Sequence, residues 1–450
     1  MMTLASFRSF NFFEKFMGVR KTVSRQIYQI RVGGFKVLLK KANRALFFMF
    51  ACMLSIPPVL LIRLLHPFIK IRLVWMDAGR IGHFDRADVY LAYKKNGVFA
   101  SGIFDIIYFV RSTGIIANEF YYKMWKRELH PAPLVLGPIL EIIDKTNKRI
   151  PGRKVIYHWN RAPFTSDINI AINNRTTENI LQQIASPISF TRDEQISAEK
   201  MMVELGIPKN KQFICFHNRD SAYTESLKMD RDWSYHDYRD SDVYNYIPAV
   251  EEMTRRGYIA IRMGSQVEKS LDIDNPNIID YASSGKQSDF IDIYLAANCR
   301  FFILSDTGLS NPPEVFRKPI LYVNNFFFAL LYRLSVQNSI FIFKKYYLIQ
   351  EERILTFAEI IDTDLLYCGS GFELKKRGIR VIENTKEEIA AATLEMESRL
   401  TGHWIPRNED EKLQTSFWSL FPTELSKSPD CRIGAQFLRE NCDLLKTTSS

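Results

Sequence analysis

The sequence predicts an α/β protein made of two Rossmann-like domains facing across a cleft, preceded by a basic, apolar N-terminal segment that associates with a membrane. Three observations predict it. Apolar runs of strand length end repeatedly in glycine or small polar loops and then give way to helix-period patterns, the alternation of a parallel sheet. A break at Gly206-Ile-Pro-Lys-Asn separates two such series. The positive charge is also concentrated at one end. Residues 1–72 hold 13 Lys and Arg and one acid, Glu14, whereas the other 378 residues hold 47 basic and 49 acidic side chains.

These features divide the 450 residues into a membrane-associating segment (1–70), a first Rossmann-like domain (71–205), a second (206–384) and a C-terminal helix and tail (385–450) expected to pack back on the first. A near-neutral body argues against nucleic acid as a partner and, with the basic end, for an anionic membrane surface. The six cysteines are scattered and form no CxxC pair, so neither zinc nor an oxidising compartment is implied.

Leu46–Ile62 is uncharged over 17 residues but contains Pro57-Pro58, and Arg63, His66 and Lys70 follow. That length is the lower limit for a spanning helix. A span, a surface-lying or re-entrant segment and a buried hairpin all remain open. The flanking cations favour an interfacial anchor; the reaction that the resemblance below implies needs the body in the cytoplasm, peripherally associated with the inner membrane.

The first domain opens with a strand at Ile71–Met76. It runs into Asp77-Ala78-Gly79-Arg80-Ile81-Gly82-His83, where two glycines permit a tight turn and His83 sits at a strand end, a common place for a site residue. Gly102–Arg111 reads as a strand, Ile115–Tyr122 and Leu134–Ile143 as helices, Lys154–His158 as a strand, and Ile188–Leu205 as a helix once past Thr191.

The second domain begins with the strand Gln212–His217, which ends in Asn218-Arg219-Asp220-Ser221-Ala222-Tyr223. The planar fork of an arginine here suits a phosphate, and Asp220 is placed to orient it. Trp233–Tyr244 is a mixed aromatic and polar loop of the kind that recognises rings and hydroxyls. A helix (Ile247–Arg256), a strand ending in Gly264-Ser265, a short strand (Asn277–Tyr281) and a helix (Ser288–Arg300) follow. They lead to Phe301–Leu304, the loop Ser305-Asp306-Thr307-Gly308, a helix start at Pro312–Phe316 and the strand Pro319–Val323. Open α/β sheets bind ligands at such strand ends, and a helix start suits an anion. Lys344-Lys345 either reach a phosphate or bound a strand. Thr385–Leu400 opens with a capping box, and Trp404, Phe417, Trp418 and Phe421 are docking points for the tail.

The motifs carry a resemblance. Ser305–Leu321 is similar to the donor-binding loop and helix of GT-B glycosyltransferases such as heptosyltransferases. Phe216–Ser221 resembles a fucosyltransferase motif whose arginine contacts the nucleotide diphosphate. Gly79–Phe84 resembles a glycine-rich acceptor loop. The joint set, Arg80–His83, His217–Tyr223, Tyr235–Arg239, Ser305–Pro313 and Asn384–Ile389, most resembles a sequence-defined family of bacterial glycosyltransferases encoded among surface-polysaccharide genes, over about Arg72–Trp418.

The resemblance implies GT-B architecture and transfer of a sugar from a nucleotide-sugar donor to a glycan acceptor, lipid-linked oligosaccharide included. Implied donor-binding residues are His217, Asn218, Arg219, Asp220, Tyr223, Gly264, Ser265, Ser305, Asp306, Thr307, Gly308, Ser310, Asn311 and Glu314. Within that set Arg219 neutralises diphosphate, Thr307, Gly308 and Ser310 cradle phosphate, and Asp306 or Glu314 binds ribose or sugar hydroxyls. Gly79, Arg80 and Gly82 form the acceptor loop. Heptosyltransferases carry an acid just after the first-loop glycine, where this chain has Arg80, so the base is left among Asp77, His83 and Asp85. Asp272–Asp274 and Asp362–Asp364 have the letters of a D-x-D motif without a strand-end setting, so no tightly bound cofactor and no metal are expected. A nucleotide-sugar epimerase or hydrolase and a non-catalytic membrane-bound scaffold stay open as alternatives.

Overall fold

The computed structural model describes residues 34–35, 38–39, 41–43, 45–99, 101–151, 156–159, 180–181, 183–226, 234–333, 338–421 and 431–446. It is an α/β fold with parallel sheet. By contact the chain divides into two compact units: 1–73 with 103–106 and 135–158, and 74–102 with 107–134 and 159–450. These bounds follow different lines from the expected division at 70, 205 and 384.

The smaller unit is organised by two helices, α1 (Lys41–Leu65) and the later Gly137–Arg149. Helix α1 runs unbroken through Pro57-Pro58. Its inward stripe includes Ser55 and Val59, and Ser55 Oγ donates to Thr146 Oγ1 at 2.6 Å. Arg63 donates to Asn147 Oδ1, to the carbonyls of Asn147 and Ile150 and to that of Pro151, so it caps the end of the second helix, where carbonyls lack intrahelical partners. Arg72 pairs with Asp105 at 2.7 Å.

The first strands, β1 (Lys70–Asp77), β2 (Ile103–Val110) and β3 (Ile156–Trp159), form a sheet in the order β2-β1-β3. After β1 comes the one-turn segment Ile81–Phe84 and then α2 (Asp85–Lys95). Helix α3 spans Glu119–Leu129. The helix expected from Ile115 therefore starts four residues later. Ala117 N–H is tied to the Ala78 carbonyl at 2.8 Å, and Asn118 accepts from Tyr121 N–H as the N-cap. The Gly137–Arg149 helix is α4, and α5 is Arg192–Glu204, opened by the Thr191–Glu194 capping box.

The rest of the larger unit is built on a parallel seven-stranded sheet: β4 (Phe213–His217), β5 (Ile259–Arg262), β6 (Ile278–Ile279), β7 (Phe302–Leu304), β8 (Ile320–Asn325), β9 (Ser339–Phe343) and a C-terminal strand, Cys431–Ile433. Its order is Cys431–Ile433, β9, β8, β7, β4, β5, β6. In the central strands Phe213–Phe216 of β4, all of β7 and Ile320–Val323 of β8 are apolar on both faces, as expected of buried parallel strands. Between them run α6 (Ile247–Arg255), α7 (Asp289–Asn298, capped by Ser288) and the five-residue α8 (Asn311–Val315). Strands β10 (Lys345–Leu348), β11 (Arg353–Ile354) and β12 (Ile379–Ile382) form a small antiparallel sheet in the order β11-β10-β12. Cys215 and Cys299 are buried, free thiols.

The C-terminal segment is placed differently from the expectation that it packs back on the first domain. Helix α9 (Lys386–Leu400) packs on α6, on β8 and β9 and on the Ala435–Glu440 helix, and the tail adds the strand Cys431–Ile433 (β13) beside β9. The reason is chemical: Ile389, Ala392 and Met396 make an apolar stripe, and Phe417, Phe421 and Phe437 join the core next to the seven-stranded sheet. Trp418 packs at its edge.

The two βα series of this unit are held together by buried polar contacts. Arg317, with φ +57°, donates bidentately to Asp88 at 2.7 and 2.9 Å. Losing one partner of a pair this buried typically costs about 3–5 kcal/mol. Asn118 Nδ2 donates to the Asp289 carbonyl, and Glu119 N–H to the Asp289 carboxylate.

Candidate active site

Two loops meet here: Asp77–His83 after β1 and Ser305–Ser310 after β7. They meet because neither has a side chain at the contact. A Cβ on Gly82 would lie 2.9 Å from Gly308 Cα, and one on Gly308 would lie 3.2 Å from Gly82 N. Gly79 is equally constrained, since a Cβ there would lie 2.6 Å from Ser112 N. Gly82→Ala is therefore expected to push the loops apart. The expected cost is roughly 1–3 kcal/mol of stability, as for other overpacking changes, with turnover reduced about 10²-fold by misplacement. Thermal melts and initial rates on one preparation check both.

Asp77 ends β1 and is buried. Its Oδ1 accepts Gly79 N–H at 2.9 Å and Ser112 N–H at 3.1 Å, and its Oδ2 accepts the Ser112 hydroxyl and His83 Nδ1, each at 2.6 Å. Burial pushes the carboxyl up, but the bonds from His83, Ser112 and Gly79 outweigh it and hold the group at about 2. An ionised carboxylate only accepts, so the His83 proton lies on Nδ1 and the lone pair on Nε2. The His83 side chain is 36% exposed. Asp77 is thus committed to orienting, and among the candidate bases His83 offers a lone pair at Nε2. Ser112 was not anticipated; the only signal was its place at the end of β2.

On the other side, the Arg219 N–H donates to Ser305 Oγ at 3.1 Å. Its guanidinium donates to the His236 carbonyl and to the Asp240 carboxylate. The partner of Arg219 is Asp240, then, and not the expected Asp220. Asp220 instead accepts from Ala222 N–H and Glu268 N–H, holding the local turn. Burial first, then Arg239, lowers Arg219 to about 10, which still leaves it charged at neutral pH. Arg239 donates to the Asp306 carbonyl at 2.7 Å and faces its carboxylate at 3.1 Å. Lys344, 4% exposed, donates to the carbonyls of Tyr238 and Asp240 on either side of Arg239.

Arg219, Arg239 and Lys344 therefore gather beside Asp240 and Asp306, with Asp237 and Glu383 close enough to act on them, and guanidinium and ammonium donors brought together in this way suit an anion. The expected helix-start contribution is small, because α8 has only five residues and follows a single turn at Gly308–Ser310. Burial lowers Lys344 to about 8. The cationic form binds anions, so affinity for an anion such as pyrophosphate is expected to fall about tenfold between pH 7 and 9 as the free protein loses this proton. Calorimetry across that range checks it, and Lys344→Met should flatten the dependence.

The other expected residues are distributed as follows. His217 donates from Nδ1 to the Met263 carbonyl at 2.9 Å and is lowered to about 4 by burial, Arg262 and Arg219, so it is a neutral acceptor. Gly264 lies against its ring, and Ser265 is exposed. Asp306, Thr307, Gly308 and Ser310 are all accessible, Thr307 capping the turn through Leu309 N–H. Tyr223 is exposed, and Arg80 is close enough to act on its hydroxyl electrostatically.

Asn218, Asn311 and Glu314 are engaged inside the protein. Asn218 bridges the Ser241 carbonyl and Arg262. Asn311, with its amide turned to suit its neighbours, donates to Tyr121 Oη and the Ile81 carbonyl and accepts from Asp85 N–H. Glu314 accepts from Tyr322 Oη at 2.7 Å. The side chain of Tyr235 lies outside the described residues. Among the described residues no group of three or more His, Cys, Asp or Glu is placed to hold a metal ion.

No protein-family model matches the chain, and no curated protein matches it. Among solved structures it is similar to a family 9 glycosyl transferase from Veillonella parvula, at 13% identity and TM-score 0.36, over 61% of this chain and 86% of that one. It is also similar to the E. coli ADP-heptose LPS heptosyltransferase II, at 9% identity and TM-score 0.31, over 61% and 90%. A third likeness is to the UDP-GlcNAc 2-epimerase from Neisseria meningitidis bound to UDP-GlcNAc, at 11% identity and TM-score 0.27, over 57% and 82%.

Proposed function

We propose that this chain is a glycosyltransferase of GT-B type that moves a sugar from a nucleotide-sugar donor to a glycan hydroxyl in surface-polysaccharide synthesis, on the cytoplasmic side of the membrane. The observation that carries the reading is the Gly82–Gly308 contact. It sets a histidine polarised by a buried carboxylate beside a loop backed by Arg219 and Arg239.

Nε2 of His83 takes the proton of the acceptor hydroxyl as that oxygen attacks the anomeric carbon, and Asp77 stabilises the imidazolium that forms. The bond from the anomeric carbon to the donor's phosphate oxygen breaks, and the charge gathering on the departing diphosphate is met by Arg219, Arg239 and Lys344. Thr307, Gly308 and Ser310 offer hydroxyl and backbone donors to the same group. His217, neutral, can accept from a donor hydroxyl. The motif resemblance supports the glycan acceptor and the polysaccharide setting.

The test is a panel of UDP, GDP, CMP and ADP titrated into the purified protein by calorimetry, followed by donor turnover with and without a glycan acceptor. Tight binding of one nucleotide and acceptor-dependent turnover are expected. Turnover at full rate without acceptor would indicate an epimerase or hydrolase. Folded protein that binds none of the four would bring the scaffold reading forward.

A further inference from the structure

The smaller unit bears on a question separate from the glycosyltransferase reading: whether helix α1 crosses a membrane. By length and composition it can, since its 25 residues extend ~37 Å at 1.5 Å per residue against a hydrocarbon core of ~30 Å. What packs on it argues otherwise. Ser55, near its midpoint, is bonded to Thr146 of α4. Phe48, towards one end, lies under the cations of Lys145 and Arg149 at 5.9 and 5.2 Å. Arg63, at the other end, is locked to Asn147, Ile150 and Pro151. From Phe48 to Arg63 is ~22 Å of helix, and at three points along it α1 is tied to polar or charged groups of the single stretch Lys145–Pro151. Helix α4 also carries Glu141 paired with Lys145, and a buried Asp144 paired with the more exposed Lys148. Were α1 to span, these groups would enter hydrocarbon, where ionised side chains are costly.

The opposite side of α1 is apolar and uncovered: Phe47, Met53, Leu54, Leu61 and Leu64 are each more than half exposed. Only 11% of its most apolar stretch is buried. Residues 1–44 add ten Lys and Arg against the single Glu14. A broad apolar face beside an excess of cations is the chemistry of an interfacial helix on anionic lipid.

We propose that α1 lies in the plane of an anionic phospholipid membrane, its outward face sunk to the level of the upper acyl chains and its inward stripe held on α4, without crossing. The full chain should float with vesicles of phosphatidylcholine and phosphatidylglycerol (3:1) and poorly with phosphatidylcholine alone. Met53→Glu with Leu54→Glu should reduce flotation at least tenfold with an unchanged thermal melt.

Depth is read with Phe47→Cys, Leu54→Cys or Leu61→Cys, one at a time, labelled with an environment-sensitive fluorophore. The background has Cys52, Cys368 and Cys442 changed to Ser, and the vesicles contain lipids spin-labelled at acyl carbon 5 or 12. The proposal expects all three positions to be quenched alike and more by the shallow label. Stronger deep quenching at position 54 than at 47 and 61 would show a spanning helix and overturn it, as would failure to float with either vesicle.

Discussion

Replacing His83 by Ala is expected to lower kcat by about 10²–10⁴, the usual value of a positioned general base, with little change in nucleotide affinity. The donor-side cations are untouched by the change, and the His83 ring does not hold the fold, since among the described residues it bonds to Asp77 alone. Asp77→Asn should cost a comparable factor by a different route. A carboxamide that turns its NH2 towards the ring must be met by an unprotonated Nδ1, which moves the proton to Nε2 and removes the lone pair that accepts the substrate's proton. Asp77→Asn should also loosen the turn, because the carboxylate holds Gly79 and Ser112 as well. Ser112→Ala should be the mildest of the three. The measurement is initial rate against acceptor concentration with saturating donor; wild-type kcat in His83→Ala would eliminate the histidine as base.

Arg219→Ala should abolish nucleotide binding at practical concentrations, a weakening of at least 10²-fold, in keeping with the roughly 2–5 kcal/mol that truncating a buried charge partner costs. Its effect exceeds that of removing an exposed arginine because the Arg219 side chain is largely buried, and its loss also leaves Asp240 without this ion-pair partner. Arg219→Lys should restore little, since a point charge cannot reproduce the planar fork. Asp240→Asn gives the opposite sign: it frees the guanidinium, so nucleotide affinity should rise or hold while the loop melts earlier. Calorimetry on the three variants separates these outcomes. Equal affinities in wild type and Arg219→Ala would place the anion elsewhere.

Much of the α/β order could be read in advance, because it rests on local signals. Thr191, Ser288 and Thr385 cap helices where the capping chemistry says they should, and the strand-end loops at Asp77, His217 and Ser305 lie at strand ends. What escaped is set by long-range packing. Asp220 sits next to Arg219 in sequence, yet the backbone turn directs its carboxylate to amides at Ala222 and Glu268, and the guanidinium finds Asp240 instead. Asn311 and Glu314 look like ligand residues beside the prolines, but their side chains bond to Tyr121 and Tyr322. Around Pro57-Pro58 a span, a surface-lying or re-entrant segment and a buried hairpin were all open; α1 is one helix through both prolines. The docking of the tail depended on which sheet offered an open edge, something no local pattern encodes.

That edge has a consequence for how the chain is made. Strand β9, Ser-Ile-Phe-Ile-Phe, is buried throughout, and one of its two neighbours in the sheet is β13, some ninety residues further along. On the ribosome, at roughly 5–20 residues per second, β9 leaves the tunnel seconds before its outer neighbour exists. For that interval an aromatic strand edge is open to any other nascent chain, the circumstance in which edge-to-edge aggregation starts. A message truncated shortly before Cys431 would carry every residue of the candidate active site and still yield a protein that precipitates.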